Sequence, residues 1–89
     1  MNNKIVLASL AMDLRRVALG YHRGSIKMGK RFFEEALKRK NEIDRSNIKP
    51  YLQILLDKIP AIMTKKEQDI AENALMYSTL CRNYANKYL

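Results

Sequence analysis

Between Leu14 and Phe33 the chain carries six Lys/Arg side chains and no acid, and the same run holds its only histidine, His22, and its three glycines, Gly20, Gly24 and Gly29. Guanidinium and ammonium groups bind phosphate, an imidazole moves protons near neutral pH, and glycine lets an anion approach the backbone. Placed on a helix at about 100° per residue, Arg16, Arg23, Lys27 and Lys30 fall within about 60° of arc. Such a ridge contacts phosphates, which gives affinity and salt dependence but no reading of base sequence. The pattern predicts a nucleic-acid contact through these four residues; the plainer alternative is a solvated helix face. The whole chain points the same way: 17 Lys/Arg against 9 Asp/Glu give a net charge of +8 and a pI near 9.8. That surplus favours nucleic acid, anionic membranes or acidic proteins as partners. It is uneven, with 11 basic and 5 acidic residues in 1–46 against 6 and 4 in 47–89.

Other chemistry is sparse. Arg16 and His22 stand as R-x5-H in "RRVALGYH". This resembles the R-x4-6-H motif of HEPN-type ribonucleases, over the seven residues Arg16–His22. The resemblance implies an all-α dimer in which the Arg and His meet at the subunit interface and cleave RNA without metal. Cys81 is the single cysteine, so no internal disulfide forms, and one His with one Cys cannot build a structural zinc cluster. No cofactor or metal is expected. No G-x-G-x-x-G or Walker-type loop is present, which leaves nucleotide binding unsupported. Tyr77, Tyr84 and Tyr88 fall on one side of the last helical segment with Arg82 and Lys87 nearby. Aromatic rings among cations can stack bases, although tyrosines at helical spacing more often edge a core or an interface. Glu34–Lys38 and Glu35–Arg39 are i,i+4 pairs that support a helix rather than a carboxylate site.

The elements that must carry these residues are helices. Prolines occur only at 50 and 60, and no strand-like alternation persists. Asn2 or Asn3 can cap a first helix whose apolar positions run Leu7, Leu10, Leu14, Val17, Tyr21, Met28 and Phe32, in phase across the glycines. The spacing predicts one helix over about 3–43, bent near Gly20–Gly24. Three helix-interior glycines cost about 2–3 kcal/mol relative to alanine; close helix contact or a kink is the simplest reason for them. "DRSN" breaks this helix, and Ser46 or Asn47 caps a second over 48–60 with Pro50 in its first turn. Thr64 with Glu67 reads as a capping box opening a third helix over 64–88, which places Cys81 on its apolar face.

Eighty-nine residues make a single domain, marginal alone, and with no disulfide or metal the remaining remedy is oligomerisation, which 47% hydrophobic residues can support. A second apolar stripe, Met12, Leu19, Ile26 and Phe33, lies roughly 130° from the first. Two seams on one long helix predict a helical hairpin that dimerises through these four residues into a four-helix-type bundle. The competing arrangement is a monomeric bundle with a sharp turn at Gly20–Gly24. The expected protein is a small, basic, non-enzymatic, cytoplasmic binding protein whose partners are a second copy and DNA or RNA. The initial apolar run, Ile5–Ala8, is too short for a signal-peptide core. The rivals are a protein-interaction dimer with a merely solvated basic face, and the metal-independent ribonuclease.

Overall fold

A computed structural model describes residues 2–89. Among them the structure is all-α: α1 Asn3–His22, α2 Ile26–Glu42, α3 Pro50–Lys58 and α4 Glu67–Tyr88, with short 3-10 turns at Arg45–Asn47 and Ile59–Thr64. Asn2 caps α1 by accepting the Ile5 N–H at 2.9 Å, and Pro50 opens α3 where its missing N–H costs nothing. The other expected caps differ. Asp44 holds the turn before α3, accepting from the Ser46 N–H and hydroxyl and from Asn47. Thr64 ends the 3-10 turn, its hydroxyl donating back to the Ala61 carbonyl at 2.6 Å; the N-cap of α4 falls at Lys66, so the capping box does not form and α4 begins at Glu67.

The single helix expected over 3–43 is two helices. The chain reverses at Arg23–Ser25, and all three glycines serve that reversal. Gly24 has φ +78°, a left-handed conformation that costs glycine little. Around it the Ser25 N–H donates to the Gly20 carbonyl at 2.8 Å and the Gly24 N–H to the Tyr21 carbonyl at 3.3 Å. This is the paired C-terminal cap that satisfies the last carbonyls of a helix. Gly20 then meets Gly29 face to face: a Cβ on Gly20 would lie 2.7 Å from the Gly29 nitrogen and 2.9 Å from its Cα. A Cβ on Gly29 would strike the Tyr21 ring at 2.5–2.6 Å. At the far end Asn3 clamps Asp44, donating to its carbonyl at 2.8 Å and accepting its N–H at 2.9 Å. Helices α1 and α2 are therefore antiparallel neighbours. The sharp-turn arrangement is the one observed, and the long-helix hairpin is not.

The reversal redistributes the second stripe. Phe33 is buried in the chain's own core and Ile26 packs against it, whereas Met12 is 55% exposed and Leu19 half-buried. A surface made of all four does not exist. On its other flank α1 receives α4, also antiparallel. Small residues set that approach, with Ala11, Ala18, Ala74 and Ala85 buried and the Ser78 hydroxyl donating to the Ala11 carbonyl at 2.6 Å. Leu52, Leu56, Ile59 and Ile62 from α3 and the following turn are essentially fully buried, and they complete one core cluster with Leu7, Leu10, Leu14 and Val17. Pro60 sits in the 3-10 turn after α3, which ends at Lys58.

Gly24→Ala should lose about 1 kcal/mol of stability in urea unfolding, because alanine pays for the left-handed conformation although space is open around it. Gly20→Ala should lose more, about 1–3 kcal/mol, because its methyl overlaps backbone that has nowhere to retreat. A stabilising Gly24→Ala would mean that the helix runs straight through residue 24.

Candidate functional site

The four cations of the expected ridge are all exposed, but they do not share one helix face. Arg16 lies on α1, Arg23 at its C-cap, and Lys27 and Lys30 on the first turns of α2. The single arc depended on helical phase running through Gly24, and the turn removes it. What replaces the arc is a basic shoulder at one end of the bundle, around the exposed Arg23–Ser25 turn. Arg23, Lys27 and Lys30 form no ion pair among the described residues. Arg16 is committed differently: its guanidinium lies 5.3 Å from the centroid of the Phe32 ring and 3.7 Å from Asp13.

Asp13 is the residue that sequence reasoning missed. It faces α2 at the edge of the seam of Leu10, Leu14 and Val17 and is only 6% exposed. Oδ1 pairs with Arg16, and Oδ2 lies 3.9 Å from Arg39 Nε on α2. Oδ2 has no hydrogen-bond partner among the described residues. Burial pushes its pKa above the usual carboxylate value; Arg39 and Arg16 pull against that, and Glu35 adds to it. The available signal was an acid flanked by core positions at helical spacing.

Between α1 and α4 runs a groove. Ala8, Met12, Arg15, Leu19 and His22, at steps of four and three, run along the face of α1 left uncovered by α2 and α4. It borders two adjoining hollows of about 560 and 550 Å³. His22 lines the first with Arg15, Leu19 and Glu72; Arg16 lines the second with Met12, Arg82 and Asn86. Arg16 and His22 thus belong to different hollows of one chain, and Arg15 is the cation that shares a wall with the imidazole. On the outer side of α4, Leu75, Met76 and Leu80 are exposed next to this groove.

The tyrosines divide. Tyr77 is half-buried against the core, while Tyr84 and Tyr88 join Tyr51 of α3. Cys81 is fully buried, and burial pushes its thiol up to about 12, which is the opposite of a nucleophile's requirement. Among the described residues no three His, Cys, Asp or Glu side chains converge as a metal site would need, and no helix is long and apolar enough to cross a membrane. Compared with protein families, with curated proteins and with solved structures, the chain has no match.

The raised pKa of Asp13 fixes the sign of a pH effect. An acid that is harder to ionise when folded weakens the fold once ionised. That cost is absent below the unfolded carboxylate value of about 3.9 and sets in as pH rises through the folded one. Relative to Asp13→Asn, the native chain should therefore gain thermal stability as pH falls from 7 to 3. A stability gap between the two proteins that moves the opposite way would show Asp13 held by its arginines more strongly than burial opposes it.

Proposed function

We propose that this chain is a small non-enzymatic binding domain that holds the phosphate backbone of nucleic acid on the basic shoulder at the α1–α2 turn. The observation that carries this reading is the cluster Arg23, Lys27 and Lys30, exposed and unpaired among the described residues, in a stretch with no acid from Leu14 to Phe33. Arg16 contributes from the side, its charge partly answered by Asp13. A shoulder of lysine and arginine with few asparagine, glutamine or aromatic groups reads charge and spacing more than base edges. Binding is therefore sequence-tolerant and strongly dependent on salt.

Three free cations predict a log–log salt slope of about −3 on duplex DNA. Lys27→Ala and Lys30→Ala should each lower its magnitude by about one and weaken all sequences alike, with little change in helix content. Arg16→Ala should do less, because its guanidinium is already engaged. A flat titration at about 50 mM salt would refute the reading.

A second reading has its own support. Met12 and Leu19 on α1 and Leu75, Met76 and Leu80 on α4 leave an apolar band on the surface of a short chain. Bands of this kind mark interaction surfaces, and a second copy of the chain is the proposed occupant. In that case the domain is a self-associating helical module whose basic shoulder is presented twice. Leu19→Asp should then convert a sedimenting dimer to monomer while leaving the helical signal intact, since Leu19 is only half-buried. A native chain that sediments as monomer at high micromolar concentration counts against it.

A further inference from the structure

At the end of the bundle opposite the shoulder, three tyrosines meet. Tyr84 is buried on α4, and its hydroxyl accepts the Lys49 backbone N–H at 2.9 Å, which pins the start of α3. That pin brings Tyr51, in the first turn of α3, edge-on to Tyr84 with centroids 5.6 Å apart, and to Tyr88 at 6.5 Å. Tyr84 and Tyr88, one helical turn apart, stand at 4.9 Å. The rings wall a pocket of about 250 Å³ lined further by Leu52, Leu55, Leu80, Asn83 and Lys87. Tyr51 remains 52% exposed and Tyr88 40% exposed. Two cations stand over the outer ring: Lys49 Nζ is 4.3 Å and Lys87 Nζ 5.3 Å from the Tyr88 centroid.

We propose that this pocket stacks a base of single-stranded nucleic acid, with Lys49 and Lys87 holding the adjacent phosphate. An aromatic pocket takes either a quaternary ammonium or a planar ring, and charge decides between them. Here the cation positions over Tyr88 are already held by the protein's own lysines, so a second cation is repelled and a ligand pairing a flat ring with an anion is favoured. The pocket is smaller than the ~300–1,000 Å³ usual for drug-sized ligands, which suits one base. A duplex keeps its base faces stacked internally, whereas a single strand offers them. Tyr51, 52% exposed and with no cation over its ring among the described residues, offers the open face for the base. The inference rests on the nucleic-acid reading and deepens it, but it uses different residues at the other end of the molecule.

The test compares a thymidylate hexamer, an abasic hexamer with the same phosphates and a DNA duplex, at about 50 mM salt. With five tyrosines and no tryptophan, the chain reports stacking through its tyrosine fluorescence. The native protein should bind the thymidylate hexamer more tightly than the abasic one and be quenched by it. Tyr51→Leu should weaken thymidylate binding by about 5- to 150-fold, leaving abasic binding and the circular dichroism spectrum unchanged. Neutralising Arg23, Lys27 and Lys30 together should weaken duplex binding but keep the thymidylate-over-abasic ratio. Equal binding of the two hexamers alongside retained duplex binding overturns the stacking site alone. So does a ratio unchanged in both Tyr51→Leu and Tyr88→Leu, or quenching by choline where the hexamer gives none. Failure to bind any of the three overturns the nucleic-acid reading and the stacking site with it.

Discussion

The direct contact between the backbones of Gly20 and Gly29 is the constraint on which the remaining structure depends. It lets α2 return along α1 without a spacer, immediately after the left-handed residue at Gly24 has turned the chain. With α2 on one flank and α4 on the other, the exposed residues of α1 keep to one face, from Lys4 and Ile5 through Met12, Arg15 and Arg16 to His22. Phe33 enters the core and Ile26 packs against it for this reason, and Asp13 is trapped against α2 between two arginines. The basic residues that a straight helix would have lined up are instead fanned around a corner.

The helical class, the apolar face of α4 and the buried Cys81 were legible because side-chain periodicity reports burial directly. The reversal was not legible, because periodicity is blind to the backbone angle of one residue. Tyr21 and Met28 are seven positions apart, two helical turns, so they stay in phase whether or not a turn intervenes. Only the glycines carried the signal. Gly20 and Gly29 touch only when the chain doubles back, and a continuous helix gives them no common purpose. The Thr64–Glu67 pattern failed for a local reason: Thr64 closes the preceding 3-10 turn, two residues before the N-cap of α4 at Lys66, so its hydroxyl is not at the capping position.

Within the candidate sites, exposure of the cations followed from the absence of acids near them in sequence. Their arrangement did not, since it required the turn. Tyr51 was invisible as a partner of Tyr84 and Tyr88, because that contact exists only after α3 has folded over α4 and Lys49 has been fixed to the Tyr84 hydroxyl. The link from Asp13 to Arg39 is of the same kind, joining residues on two helices that sequence alone reads as one.

The buried thiol of Cys81 gives the molecule an internal clock. Alkylation needs thiolate, and a group with a pKa of about 12 that solvent does not reach supplies almost none at neutral pH. Chemical labelling of this chain must therefore wait for α4 to part from its neighbours. The labelling rate reports how readily the bundle opens around Cys81, without a probe having to be introduced.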